Sequence, residues 1–228
     1  MDPALTPRIA LITEGPSDHA VLKQFLGAYF NNPKLTFRQL QPPPNVPGGW
    51  TEVLRYLASS EFAAAFADSD LVVVQIDTDV CEEPGYGVPR RDGGRELTPD
   101  ELAERVQTRL ATQLSPDLLT AHADRLLFAV CVDSLECWLL PLLYTDRKRE
   151  RTVNCLDALN QAISARHGFS IDKHKKQVAY YERLLRHHRC HKHATLAAIA
   201  DKNPSLTRFI AQLDARFPAR AMLAPRSP

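Results

Sequence analysis

The chain has 228 residues, of which 44% are hydrophobic and 24% charged, with 17 prolines and 9 glycines. This composition is typical of a folded globular protein and excludes collagen-like, coiled-coil and disordered chains. The formal net charge is +1, but residues 1–140 hold 11 Lys and Arg against 20 Asp and Glu, whereas residues 141–228 hold 17 against 7. The resulting charges of −9 and +10 predict an acidic site in the first part and a polyanion-binding surface in the second.

No apolar run approaches the ~18 residues of a membrane-spanning helix, and the N-terminus lacks a basic segment followed by a long apolar stretch. We therefore expect a cytoplasmic protein with no membrane partner. The five cysteines are scattered and form no Cys-x-x-Cys pair. This spacing indicates neither a disulfide framework nor a zinc ribbon, so we interpret the cysteines as mostly buried, small apolar residues.

Four segments have the length and composition of β-strands: Arg8–Thr13, Leu35–Leu40, Asp70–Ile76 and Arg125–Val132. All but Leu35–Leu40 are almost continuously hydrophobic, which is expected of strands covered on both faces in a parallel sheet. Helical periodicity lies between the strands, at Ser17–Phe30, Trp50–Phe66 and Pro99–Leu114. This alternation predicts an α/β fold with a mostly parallel sheet, flanked by helices and joined by right-handed crossovers.

Two segments interrupt this alternation. Gln41–Gly49 is rich in proline and predicts a stiff loop, and Cys81–Thr98 is a long loop directly after a strand. A long loop in that place is usually functional, although an unstructured insertion is the alternative. After Val132 only helices are predicted, at Leu135–Tyr144, Val153–His167, Lys175–His188, Ala194–Asp201 and Ser205–Phe217. We therefore expect an α/β domain over residues 1–140 and a helical basic region over residues 141–228 that packs on it.

Acidic residues follow each of the three most hydrophobic strands. They are Glu14 and Asp18 after the first, Asp77 and Asp79 after the second, and Asp133 and Glu136 after the third. Ligands of open parallel sheets bind outside the carboxyl ends of the strands, and Mg²⁺ or Mn²⁺ takes oxygen ligands. Crowded carboxylates also need a cation between them or bound protons. The sequence therefore predicts a Mg²⁺ or Mn²⁺ site, with helix capping as the alternative for any single residue.

Three of these segments resemble motifs of one family. The segment IALITEGPSD at residues 9–18 resembles the first motif of Toprim domains, and Asp77-Thr78-Asp79 resembles their Asp-x-Asp motif. The segment DSLECWLL at residues 133–140 resembles the acidic helix start of Toprim-like proteins related to overcoming-lysogenisation-defect (OLD) nucleases. Asn203-Pro204-Ser205 before the last helix fits the same group.

The resemblance implies a Toprim-like fold and Mg²⁺- or Mn²⁺-dependent phosphodiester chemistry. By that analogy Glu14, Asp77 and Asp79 are catalytic: both aspartates bind metal, and Glu14 is a metal ligand or a general acid/base. Asp18 and Glu136 complete a second metal position. Neither the ATPase domain of full OLD nucleases nor the tyrosine context of a topoisomerase is recognised in the sequence. The expected function is thus a nuclease or a related phosphotransfer enzyme that acts on nucleic acid, and a role in bacterial defence against phage is implied by the resemblance alone.

Basic residues are concentrated between Asp172 and His193, where seven Lys and Arg stand against two acidic residues. We predict that these residues and two arginines of the long loop bind nucleic acid; DNA is favoured, and RNA stays open. They are Lys173, Lys175, Lys176, Arg183, Arg186, Arg189 and Lys192, with Arg90 and Arg91. Cations neutralise phosphates, and the neighbouring Tyr180 and Tyr181 offer rings for stacking on bases. A solvated helix face is the alternative.

The run from His187 to His193 also contains possible zinc ligands, four histidines and Cys190. Its spacing matches no standard zinc finger, and the interleaved cations oppose a metal ion. We interpret some of these histidines as additional phosphate contacts that protonation at low pH would strengthen.

Two other functions stay open at this stage. One is a non-catalytic nucleic-acid-binding partner of a separate ATPase, and the other is an enzyme that acts on a small phosphorylated molecule such as a nucleotide. The metal-site prediction depends on one distance. Ligands lie about 2.1 Å from Mg²⁺, so Glu14 and Asp77 cannot share an ion if more than ~10 Å separates them.

Overall fold

A four-stranded parallel sheet forms the centre of the protein in a computed structural model that describes residues 6–218. The strands are β1 (Arg8–Ile12), β2 (Thr36–Gln41), β3 (Leu71–Asp77) and β6 (Leu126–Cys131), in the spatial order β2-β1-β3-β6. All residues of β3 and β6 are buried, whereas β2 lies at an edge and is mostly half-buried. This difference explains why the sequence of β2 is less continuously apolar than that of the other strands.

The strand order reverses direction at β1. The chain passes from β1 to β2 on one side, and then crosses back to place β3 on the other side of β1. Such a reversal opens a crevice at the carboxyl ends of the two strands that flank it, here β1 and β3. The residues that follow β1 and end β3 therefore face the place where a doubly wound sheet binds its ligand.

Helices cover both faces of the sheet. The α-helices are α1 (Pro16–Tyr29), α2 (Trp50–Leu57), α3 (Glu61–Ala64), α4 (Pro99–Ala111), α5 (Pro116–His122), α6 (Cys155–His167), α7 (Val178–His187), α8 (His193–Ala200) and α9 (Pro204–Arg216). Two 3₁₀ helices, Leu135–Leu142 and Arg147–Glu150, connect β6 to α6. A short antiparallel hairpin lies before α4, and each of its strands, β4 (Arg91–Asp92) and β5 (Arg95–Glu96), has two residues.

Several predicted boundaries were wrong for local reasons. The predicted helix Trp50–Phe66 breaks after Leu57, where the Ser59 hydroxyl donates to the carbonyl oxygen of Tyr56 at 2.7 Å. The predicted helix Leu135–Tyr144 is a 3₁₀ helix that contains Pro141, which has no N–H to donate. The predicted helix Lys175–His188 begins only at Val178, so Lys175 and Lys176 are not on it.

The sheet separates two hydrophobic clusters. One face packs against α2, α3 and α4, and the other packs against α1, the first 3₁₀ helix and α6 to α9. Trp138 is fully buried on the second face, stacked between Phe25 of α1 and Phe209 of α9, and its Nε1–H donates to Ser205 Oγ at 2.8 Å. The helical C-terminal region thus shares one core with the sheet.

The cysteines depart in part from the sequence-based expectation. Cys137 and Cys155 form a disulfide, while Cys81, Cys131 and Cys190 are free and buried. The first 3₁₀ helix and the start of α6 fold against each other, and the two Cα atoms are 5.0 Å apart. The separation of 18 residues gave no indication of this pairing, because it depends on tertiary packing. No helix within residues 6–218 is long and apolar enough to cross a membrane.

Candidate metal centre

Glu14 and Asp77 meet at the crevice between β1 and β3. The backbone N–H of Asp77 donates to Glu14 Oε1 at 2.6 Å, well inside the limit of ~10 Å set above. Gln75 lies beneath both residues and is fully buried. Its Nε2 donates to Asp77 Oδ1 at 2.8 Å, and its Oε1 accepts the backbone N–H of Glu14 at 3.1 Å. One glutamine therefore fixes the backbone of one acidic residue and the carboxylate of the other.

The proline-rich loop between β2 and α2 holds the backbone of Glu14 from the other side. The N–H of Gly49 donates to the carbonyl oxygen of Glu14 at 2.7 Å. Gly48 passes so close that a Cβ atom built on it would lie 2.0 Å from that same oxygen. Only glycine fits at position 48 with Glu14 in this place.

Asp18 and Glu136 complete an inner acidic cluster with Glu14 and Asp77. Asp18 is in the first turn of α1 and Glu136 is in the first turn of the 3₁₀ helix after β6, and both side chains are buried. Leu135 donates its N–H to Asp77 Oδ1 at 3.1 Å, which ties this turn to β3. Asp18 Oδ1 and Glu136 Oε2 are buried without a hydrogen-bond partner in the described part of the chain. Buried carboxylate oxygens without partners are costly unless a cation or a proton satisfies them.

Lys176 also lies in this cluster. Its Nζ is 2.9 Å from Glu136 Oε1, and the hydroxyl of Tyr181 donates to the same oxygen. Lys176 is in the segment before α7, and Tyr181 is in the first turns of α7. Lys176 was predicted to bind nucleic acid from a helix face; it is instead half-buried before the helix, with its ammonium group against Glu136.

The surroundings shift the pKa values of the four carboxyl groups in two directions. Burial, reinforced by the neighbouring acids, raises the pKa of Glu14 to about 8 and that of Asp18 to about 7, and holds the pKa of Asp77 well above its usual range. Burial also acts to raise the pKa of Glu136, but Lys176 and the Tyr181 hydroxyl outweigh it and leave that pKa below its usual value. Without a metal ion, the cluster thus binds protons near neutral pH.

Asp79 and Asp133 lie at the margin of the cluster. The side chain of Asp79 is exposed just beyond β3. Asp133 has a positive φ of 65°, and its Oδ2 accepts the N–H of Cys155, the first residue of α6, at 3.3 Å. The carboxylate of Asp133 therefore satisfies the amino end of α6, in agreement with the capping alternative for this residue.

The cluster suits a hard cation held by few protein ligands. Among residues 6–218, two groups of three His, Cys, Asp or Glu residues have ligand atoms that all lie within 4.8 Å of one another. Neither group contains Glu14, Asp18, Asp77 or Glu136, so no three of these four carboxylates are placed to bind one ion together. Mg²⁺ is usually bound by one or two carboxylates, with water and substrate phosphates filling its other positions. The partnerless oxygens of Asp18 and Glu136 and the all-oxygen donor set fit such an ion.

Most of the predicted nucleic-acid contacts are exposed. These are Lys173, Lys175, Arg183, Arg186, Arg189, Lys192 and Arg91. Arg90 is half-buried and donates to the carbonyl oxygen of Thr78, directly after β3. Arg183 lies over the ring of Phe169, with its guanidinium carbon 4.8 Å from the ring centroid.

The sequence did not indicate the roles of three site residues, and Tyr181, which was expected to offer its ring to bases, is fully buried. Gln75 was grouped with an apolar strand, although a single amide in a strand buried along its whole length is a signal that could have identified it. Tyr86 donates its hydroxyl to the carbonyl oxygen of Asp77 at 2.8 Å, and Tyr181 contacts Glu136. Nothing in the local sequence of either tyrosine indicates these contacts. Comparison of the chain with models of known protein families, with curated proteins and with solved structures finds no match.

Proposed function

We propose that this protein is a Mg²⁺- or Mn²⁺-dependent phosphodiesterase that cleaves nucleic acid, DNA in preference to RNA, on a Toprim-like α/β fold. The observation that supports this proposal best is the cluster of Glu14, Asp18, Asp77 and Glu136 at the point where the strand order reverses. Two of its buried oxygens have no partner among the described residues. A cluster of this kind fits a cation better than it fits a purely structural role.

One or two of the carboxylates of Glu14, Asp18 and Asp77 would hold the ion, with water in its other positions, and Asp79 at the margin would reach it through water. A bound divalent ion supplies Lewis-acid stabilisation of a phosphoryl oxygen and a water molecule of lowered pKa. Gln75 keeps the Asp77 carboxylate in one orientation through its 2.8 Å hydrogen bond. The hydrogen bonds that the Glu14 backbone makes with Gly49 and Gln75 hold the backbone of this neighbouring ligand in place.

Lys176 is the residue that would contact the scissile phosphate. Its side chain is 30% exposed while that of Glu136 is 1% exposed, so the lysine side chain is open to solvent but the glutamate side chain is not. A fixed positive charge beside the metal ligands stabilises the negative charge that develops on a phosphoryl group during cleavage. The exposed cations of the segment before α7 and of α7 itself would bind the flanking phosphates.

The Lys176–Glu136 ion pair also favours a second candidate. A cluster whose charge is partly compensated by its own lysine is stable without a metal ion, as expected of a non-catalytic nucleic-acid-binding protein that works with a separate ATPase. The two candidates differ in turnover. The first cleaves DNA in the presence of metal, and the second binds DNA without cleaving it.

The test is cleavage of supercoiled plasmid and of single-stranded oligonucleotides in Mn²⁺, in Mg²⁺ and in EDTA. We expect metal-dependent nicking that falls at least about 100-fold in Asp77→Asn and in Glu14→Gln, because each loses a charged ligand. Asp100→Asn and Glu104→Gln are the matched controls, since both change an exposed acid of α4, and they should cleave at the wild-type rate. Cleavage that survives in both site variants contradicts the proposal. Metal-independent DNA binding without cleavage supports the second candidate.

A further inference from the structure

Three histidines from two helices meet at the surface, in a place that the carboxylate cluster does not use. His167 is the last residue of α6, His187 is the last residue of α7, and His188 follows directly. The ring centroids are 4.4 Å apart for His167 and His187, 5.7 Å for His167 and His188, and 5.0 Å for His187 and His188. One ring nitrogen of each lies within 4.8 Å of one ring nitrogen of the other two.

Two of these imidazoles have an unused ligand atom. The Nε2 atoms of His167 and His188 are buried and have no hydrogen-bond partner within the described residues. The ring of His187 is exposed, so the group is open to solvent on one side. A buried imidazole nitrogen without a partner is unfavourable, and a metal ion is one of the few groups that satisfies several such nitrogens at once.

The spacing is close to that of a tetrahedral site. Zn²⁺ binds imidazole nitrogen at about 2.0–2.1 Å, which places two tetrahedral ligands about 3.4 Å apart. Atoms that are at most 4.8 Å apart need to approach by no more than about 1.4 Å, and rotation of the exposed His187 side chain can supply much of this movement. Three imidazoles leave the fourth position for water or another ligand.

We propose that His167, His187 and His188 form a binding site for Zn²⁺ or a similar first-row transition-metal ion, which joins the carboxyl ends of α6 and α7. The site differs from the carboxylate cluster in donor type, because imidazole nitrogen suits Zn²⁺ and carboxylate oxygen suits Mg²⁺. It also differs from a site formed by the run of residues 187–193 alone. Cys190 of that run is fully buried in the core, and burial raises its pKa to about 12, so its thiol is not available as a thiolate ligand.

The test is titration of the metal-free, full-length protein with Zn²⁺ in competition with a chromogenic chelator. We expect the tightest-bound ion to lose at least about tenfold in affinity in His187→Ala and in His167→Ala, since even partners that only orient a ligand contribute that much. His191→Ala is the matched control: it removes an exposed histidine of the same run and should bind Zn²⁺ as the wild type does.

Two further measurements keep the inference testable if His167→Ala folds poorly. Zn²⁺ should raise the melting temperature of the wild type and of His191→Ala but not that of His187→Ala, whose changed residue is exposed. Co²⁺ should give the visible absorption of a tetrahedral nitrogen site in the wild type and lose it in His187→Ala. Equal Zn²⁺ affinity in the wild type and His187→Ala, or an equal loss in His191→Ala, would overturn the assignment.

Discussion

Replacement of Lys176 by methionine tests how the acidic cluster is stabilised. The change keeps an aliphatic side chain of similar length and removes the ammonium group that lies 2.9 Å from Glu136 Oε1. Glu136 then stays buried without its counter-ion, while the Tyr181 hydroxyl still donates to it. Asp18 and Asp77 also lose the positive charge that lowers their pKa values. The variant therefore leaves a group of buried acids without its internal counter-charge.

The expected cost follows from the burial of the pair. Removal of one partner from a buried ion pair costs about 3–5 kcal/mol, because the other charge is left uncompensated. The Lys176 side chain is 30% exposed and Tyr181 stays in place, so we expect the lower end, about 3 kcal/mol. For a protein of this size each kcal/mol corresponds to about 2–4 °C, which predicts a melting temperature lower by about 9 °C.

The assay is urea unfolding in EDTA, with Lys175→Met as the matched control because Lys175 is exposed and adjacent. The control should stay within about 0.5 kcal/mol of the wild type. The double variant Lys176→Met with Glu136→Gln should be more stable than Lys176→Met alone, because the uncompensated charge is gone. A loss below about 1 kcal/mol in Lys176→Met, or a double variant that is less stable than either single one, would refute this account of the cluster.

Four other predictions follow from the structure. Gly48→Ala should lower the metal-dependent cleavage rate, because its Cβ would lie 2.0 Å from the carbonyl oxygen of Glu14. Gly87→Ala should affect stability alone, because Gly87 has a positive φ of 71° but no atom lies within 4 Å of the added Cβ; equal cleavage rates for the two variants would contradict the steric argument. The pKa of Glu14 is raised from 4.5 to about 8 in the folded protein, so between these pH values the native protein holds a proton that the unfolded chain has lost, and the stability contributed by this group decreases as pH rises. Glu14→Gln should therefore gain stability relative to the wild type between pH 5 and pH 8 in EDTA. A difference in unfolding free energy between the two proteins that does not change with pH would argue against the shift. The Cys137–Cys155 disulfide links residues 18 positions apart in the chain, and its reduction should lower the free energy of unfolding by about 3 kcal/mol. An unchanged midpoint of urea unfolding in dithiothreitol would exclude that contribution. Replacing Arg186 and Arg189 by glutamate should weaken DNA binding. The slope of the logarithm of the DNA-binding constant against the logarithm of the salt concentration should fall in magnitude by up to about 2. An unchanged slope, measured by fluorescence anisotropy, would show that these residues are not part of the interface.

The four strands of the central sheet were predicted to within one residue at each end, because their sequences reflect a simple physical condition. A strand covered on both faces of a parallel sheet has no polar face, so Leu71–Asp77 and Leu126–Cys131 are distinguishable from helices by their short, continuous apolar runs. The acidic residues after the strands were found for a related reason. The carboxyl ends of parallel strands meet at one edge, so residues distant in sequence such as Glu14 and Asp77 become neighbours.

The counter-charge of the cluster could not be predicted in the same way. Lys176 has the same local sequence context as Lys175, and both were interpreted as surface cations. Only the packing of α7 against α1 and the first 3₁₀ helix turns one of them towards Glu136. The disulfide and the three-histidine group depend on tertiary packing in the same way, since each joins residues from different elements. Local patterns predict the elements, and long-range packing decides which polar side chains meet.

The shared core of the sheet and the C-terminal helices has a consequence for biosynthesis. The four acidic residues of the cluster are all present once residue 136 has been made, but the lysine that neutralises Glu136 is 40 residues further along the chain. Until α6 to α9 emerge from the ribosome, only α1 and the first 3₁₀ helix cover that face of the sheet, and the acids have no internal cation. Domains generally fold as units during synthesis. Assembly of this site therefore waits for the C-terminal helices, and a nascent chain that stops before α7 leaves part of an apolar sheet face exposed beside unpaired carboxylates.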